Sequence, residues 1–229
     1  MLTALEAEAL VLSVRVATLA SLFCLPLAVG VAWLLSRSRM PGKALLNVLV
    51  HAPLVLPPVV IGYLLLLLFG VRGPIGAKLN ELFGIRFVFS SAGAILAAAV
   101  MAFPLMVRAI RLSLDAIDQG LEFAARSLGA TRLDAFLTVT LPLMLPGLLS
   151  GFMMAFAASL GEFGATITFA SNVEGETRTL PLAIYTATQT PGGDATALRL
   201  VLIAVALALG ALALSESVER WARRVIHGP

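Results

Sequence analysis

Residues 122–142 read EFAARSLGATRLDAFLTVTLP, a polar, glycine-punctuated elbow that runs straight into an apolar stretch. Asp118, just upstream, is placed to cap a short helix whose first turn holds Glu122, where a negative charge meets the positive end of the helix dipole. Leu121, Ala124 or Ala125, and Leu128 recur at helical spacing and give a narrow apolar stripe on a polar rod. Gly129 is suited to end that helix, because glycine accepts positive φ at no steric cost. Thr131-Arg132-Leu133-Asp134 then fits the capping-box pattern immediately before an apolar run. The stretch therefore predicts a helix, a glycine turn and a second capped helix. It reads either as an ordinary helical loop or as a docking knob, with a few apolar anchors in a charged rim offered to a soluble partner.

What surrounds the elbow is oily. The chain has 229 residues, of which 59% are hydrophobic and 13% charged, and its mean hydropathy is +0.98. That leaves too little polar surface to cover a water-soluble globule, so the expected fold class is an all-α membrane protein. A spanning helix needs roughly 20 apolar residues to cross about 30 Å of hydrocarbon. Five stretches qualify, at about 9–35, 44–71, 87–107, 135–161 and 195–215. Pro53, Pro57 and Pro58 interrupt the second, which is long enough to tilt or break, and Pro142 and Pro146 lie in the fourth. Gly147 and Gly151 form a small-xxx-small pair that permits close helix approach, within the chain or between copies. Glu6 and Glu8 precede the first span where a cleaved signal peptide would carry basic residues, so this span is expected to be retained. A single domain over 1–229 is expected, with no regulatory domain after span five.

Orientation follows from the placement of Lys and Arg. Arg37, Arg39 and Lys43 follow span one; Arg108, Arg111, Arg126 and Arg132 lie between spans three and four; Arg220, Arg223 and Arg224 lie in the tail. Arg72, Lys78, Arg86 and Arg178 fall in the longer, glycine-rich segments opposite. This bias predicts an outer N-terminus, a cytoplasmic C-terminus and a cytoplasmic 108–134 loop. The net charge of only +3, clustered beside apolar runs, is a topology signal and not a nucleic-acid footprint.

The elbow resembles the signature loop of ABC importer permeases, in which an acidic residue and two alanines precede a glycine and a Leu-Pro pair follows. Ala124, Ala125, Gly129 and Leu141-Pro142 match that spacing, while Phe123 fills the usual acidic position and Glu122 lies one residue earlier. The resemblance implies a type I importer fold in which this loop is a coupling helix seated in a cleft of a cytoplasmic ATPase subunit. Glu122, Ala124, Ala125, Arg126, Leu128, Gly129 and Ala130 would be its contact residues. No G-x-x-x-x-G-K-[ST] loop is present in the chain, so ATP and Mg are expected on a separate chain and no cofactor on this one.

Downstream, SLGEFGATITFASN (159–172) and GETRTLPLAIYTATQTPGG (175–193) complete the reading. Glu162 follows an uncharged run from Ala135 to Gly161 and precedes another, which places an acid at or near membrane depth. It would either act on the pathway or serve structurally, satisfying freed backbone N–H groups between Gly161 and Gly164 or pairing with Arg178 or Arg15. These two stretches are similar to permeases for tetrahedral oxyanions and to the molybdate branch in particular. The similarity implies import of molybdate, with tungstate as a companion, by a homodimer working with two ATPase subunits and an extracytoplasmic molybdate-binding protein in a bacterial inner membrane. The sulfate or thiosulfate branch is the alternative. An anionic Glu162 is a poor ligand for an oxyanion, so hydroxyl donors Ser159, Thr166 and Thr168 are the candidate pathway groups beside it. On one continuous helix, Ser159 and Thr166 would share a face.

Other classes fit less well. A secondary transporter would place several ionisable groups on the path as relays, and Glu162 alone answers to that. An enzyme would need paired catalytic groups, and no Ser or Cys here lies beside a plausible base. His51 and His227 are single and far apart, with no metal-ligand spacing. Cys24 is the one cysteine.

Overall fold

A computed structural model describes residues 3–38 and 40–227, with side chains described through Ser217 and at Arg220. Arg39 and the side chains of Arg223, Arg224 and His227 lie outside the described residues. The helices are α1 (Ala4–Arg37), α2 (Lys43–Val55), α3 (Pro58–Phe69), α4 (Gly76–Phe83), α5 (Ser91–Ala116), α6 (Gln119–Ser127) and α7 (Arg132–Ala135). A π-helical turn (Phe136–Thr140) follows, then α8 (Leu141–Leu143), α9 (Leu145–Leu160), α10 (Gly164–Phe169), α11 (Leu180–Gln189) and α12 (Asp194–His227).

Three helices are long and apolar enough to span, α1, α5 and α12, and the number is five where each of two bent pairs counts as one span. The expected second span is not one straight helix: α2 and α3 meet at 117°. The cause lies in the Leu56-Pro57-Pro58 sequence, since residues before proline are driven out of the helical region and Leu56 is extended at ψ 143. The fourth span bends by 65° between Leu143 and Leu145, where Pro146 cannot supply a backbone donor. Expected boundaries also shift. The third span runs to Ala116 instead of ending near 107, so Arg108 and Arg111 lie on the helix and not in a loop.

Small residues build the core. Ala20, Ala28 and Ala32 of α1 face Ala94, Ala98 and Ala102 of α5, all fully buried. Toward the elbow end Leu35 of α1 joins Met106, Val107, Ile110 and Leu114 of α5 in the same buried cluster, and the two helices run side by side in the same direction, held by dispersion contacts. The glycine pair of span four is spent inside the chain. A Cβ at Gly147 would lie 2.2 Å from Ser113 Cβ, and one at Gly151 would lie 3.2 Å from the Met106 carbonyl oxygen. Both glycines therefore serve the α5–α9 contact.

The polar contacts sort into two ends. At one, Glu6 of α1 accepts two hydrogen bonds from Arg199 of α12 at 2.9 and 3.1 Å, Ser13 accepts from Leu180 N at 2.6 Å, and Ser91 donates to the Glu176 carbonyl at 2.8 Å. At the other, Arg37, Asp115, Glu122 and Thr140 gather around the elbow. The first span is 34 residues, about 51 Å at 1.5 Å per residue, which separates the two ends by more than a hydrocarbon layer.

Candidate functional site

The elbow folds as its residues dictate. Asp118 accepts from Gly120 N at 2.8 Å and caps α6, Glu122 sits in the first turn and Arg126 in the last. Gly129 N donates to the Arg126 carbonyl and Ala130 N to the Ala125 carbonyl, both at 3.1 Å, with Gly129 at φ +98°. These are the paired bonds of a Schellman termination, which satisfies carbonyls that a helix end otherwise leaves open. Thr131 and Asp134 then close a reciprocal capping box at 3.1 and 3.2 Å. The Thr131 side chain and amide hold the Asp134 carboxyl below the usual carboxylate range.

No residue of α6 is buried. Phe123 is 73% exposed and Leu128, at the tip, 90%. Ala124, Arg126 and Gly129 are exposed beside them, and Ala125 and Ala130 are half-buried. Phe123 and Leu128 are thus apolar side chains held outside the fold of this chain, on a helix none of whose residues is buried. Glu122 points elsewhere. Its Oε1 accepts from Thr140 Oγ1 at 2.7 Å and lies 3.8 Å from Arg37 Nη2. Sequence reasoning used Arg37 only as a topology charge and passed over Thr140, which the π-helical turn brings to face α6.

The second candidate region is broken where glycines flank the acid. α9 stops at Leu160, Gly161–Phe163 form the break, and α10 begins at Gly164. Glu162 Oε1 accepts from Ala165 N at 2.7 Å, so its carboxylate caps the short helix that follows. The expected partners are not used. Arg178 bonds Glu174 at 2.8 Å and Asn172 at 3.0 Å, and among the described residues no ion pair joins Glu162 to Arg15. The backbone alternative is the one realised.

The break also separates Ser159 from Thr166. They lie on α9 and α10 and share no helix face, contrary to the continuous-helix expectation, although both are buried, at 6% and 1% exposure. Thr168 donates to the Gly164 carbonyl at 2.8 Å. α10 rests on α3, the half-helix after the first break: a Cβ at Gly164 would meet Pro58 Cβ at 2.7 Å. The following loop is pinned by Val173 N donating to Thr177 Oγ1 and Asn172 Nδ2 donating to Thr186 Oγ1, both at 2.8 Å. His51 contacts the Asn47 carbonyl one turn earlier on α2 at 2.8 Å.

The chain is similar to known proteins over most of its length. Residues 25–225 match the family described as "Binding-protein-dependent transport system inner membrane component". The molybdenum transport system permease protein ModB of Escherichia coli K12 is 59% identical over 97% of this chain and 97% of its own length. ModB of Haemophilus influenzae is 56% identical over 93% of each chain. Among solved structures, the MetNI methionine ABC transporter in inward-facing conformations superposes with a TM-score of 0.72 at 18% identity, covering 95% of this chain and 96% of that one.

Proposed function

Because this chain belongs to the family of inner membrane components of binding-protein-dependent transport systems, we propose that it is the transmembrane subunit of an ATP-driven molybdate importer. The observation that carries the cargo is the near-complete overlap, at 59% identity, with a relative named for molybdenum transport. Tungstate, close in size and charge, is the expected second cargo. The sulfate alternative has less support, since the molybdenum-transport relatives are the ones matched at this identity. The chain is a permease subunit and not an enzyme.

The geometry supports a division of labour. Two copies would enclose the pathway, an extracytoplasmic molybdate-binding protein would deliver cargo at the Glu6–Arg199 end, and two ATPase subunits, carrying ATP and Mg, would dock at the elbow end. The basic residues around the elbow support a cytoplasmic position for it, with the N-terminus outside. Leu128 and the small residues around Gly129 would fill a cleft on the ATPase. At the break, Glu162 would hold α10 in place and leave cargo contact to neutral donors such as Ser159, Thr166 and Thr168.

The test is uptake of labelled molybdate into liposomes carrying this chain and its ATPase, with binding protein outside and ATP inside. ATP-dependent uptake blocked by tungstate and not by sulfate is the expected result. Block by sulfate moves the chain to the sulfate branch, and uptake without the ATPase overturns the importer reading.

A further inference from the structure

α6 has no apolar footing, which raises the question of what holds it. None of its residues is buried, and the joint before it, Ile117 and Asp118, is extended backbone at ψ 127 and 122. A Gly129 turn with positive φ follows it. Joined only through these two linkers, the helix would swing freely and any push on its tip would be lost as local motion.

Three groups prevent that. Glu122 makes the only side-chain hydrogen bond from α6 to another helical element among the described residues, accepting from Thr140 Oγ1. Thr140 is fully buried at the end of a π-helical turn, whose wider winding carries its hydroxyl out of the α-helical register; such turns recur at working sites. Arg37 closes the arrangement from α1. Its side chain is 8% exposed and lies 3.8 Å from Glu122, while Nη2 donates to the Leu114 and Ile117 carbonyls at 3.1 Å each. Those carbonyls are at the C-terminal end of α5, where a cation is favoured by the dipole, and the second belongs to the joint itself. Ser36, next to Arg37, adds a bond to Asp115 of α5 at 2.5 Å.

We infer that Arg37 and Thr140 are positioning residues which, through Glu122, fasten the docking knob to α1, α5 and the π-helical turn, so that movement of the knob is delivered to three transmembrane elements together. Glu122 thereby serves as an internal strut and not as a contact for the ATPase, whose surface is the outward rim of Ala124, Arg126, Leu128 and Gly129. The inference rests on the proposed docking of an ATPase at α6. It assigns a separate duty to residues that face away from that partner.

The two duties have different signatures. The measurement is made on the full complex in liposomes: affinity for the ATPase subunit, and ATP hydrolysed per molybdate imported. Thr140→Val keeps the side-chain shape and removes the donor; it is expected to raise ATP spent per molybdate about fivefold, the scale of one net hydrogen bond, with ATPase affinity unchanged. Thr140→Ser, which restores the hydroxyl, returns the ratio to the parent value, an outcome a mere packing role would not produce. Glu122→Gln, at a side chain 28% exposed, keeps an oxygen able to accept from Thr140 and raises the ratio in the same direction because the pairing with Arg37 is lost. Parent ratios in both Thr140→Val and Glu122→Gln overturn the inference, as does a fall in ATPase affinity on Glu122→Gln that accounts for its whole effect. Leu128→Asp is the separate control: if it leaves ATPase affinity intact, the docking reading fails, whatever the strut variants do.

Discussion

Gly62 of α3 and Ala165 of α10 approach so closely that a Cβ on Gly62 would lie 2.7 Å from the Ala165 carbonyl oxygen, and equally near Thr168 Cβ. α3 follows the break of the second span and α10 follows the Gly161–Phe163 break beyond α9, so the two helices lean on each other at the point where one has no side chain. The contact sets the position of α10, and with it Glu162 and Thr166.

Gly62→Val should therefore push α3 and α10 apart. Overpacking of this kind costs about 1–3 kcal/mol, and both melting temperature in detergent and molybdate uptake should fall. An unchanged melting temperature would show that the two half-helices part without cost.

Leu128→Asp should separate folding from docking. At 90% exposure the leucine contributes nothing to its own core, so the melting temperature of the isolated permease should stay at the parent value. Capture of the ATPase subunit should weaken by roughly tenfold or more, as for a central anchor of an interface. Equal capture by variant and parent would remove Leu128 from the contact surface.

Gly129→Val tests the turn. At φ +98° a side chain with a branched Cβ is strained by about 1–2 kcal/mol, and the Schellman bonds from Gly129 and Ala130 should loosen. Amide exchange over residues 124–130 should quicken, while exchange in α1 and α5 stays as in the parent protein.

Glu162→Gln distinguishes a cap from an acid on the path. Glutamine keeps an oxygen able to accept from Ala165 N, so uptake should remain within about twofold of the parent, whereas Glu162→Ala leaves that donor open and should lower stability by about 1 kcal/mol. Loss of uptake in the glutamine variant, with the fold intact, would give the negative charge a direct role.

The capping box should be sensitive to acid. Asp134 has its carboxyl pKa lowered by Thr131, so its contribution is present above the ordinary carboxylate range and is lost as pH falls through the lowered folded value. Amide exchange at 131–136, taken relative to its intrinsic rate at each pH, should accelerate in that window, and Asp134→Asn should remove that acceleration. Equal acceleration in the variant would place the titration elsewhere.

Local features of this protein were legible in its residues because they depend on neighbours in the chain. Asp118, Gly129 and the Thr131–Asp134 box satisfy backbone groups within a few positions of themselves, so helix, turn and helix follow from spacing alone. The five apolar stretches follow equally from composition, since lipid admits only segments that bond their own backbone. The missing acidic residue at Phe123 was visible too, though not its consequence.

Tertiary structure decided what depends on residues far apart. That Glu122 turns inward could not be read from the elbow, because its partners are 18 positions away in a π-helical turn and 85 positions away on α1. The angle between α2 and α3 depends on what α3 leans against, and that surface is α10, about a hundred residues downstream. Glu162 could have paired with Arg178 by charge, yet the break at Gly161 put a free amide closer, and Asn172 and Glu174 had already engaged the arginine. Sequence specified which groups needed partners; the folded arrangement chose among them, because hydrogen bonds and side-chain contacts act only over a few ångströms.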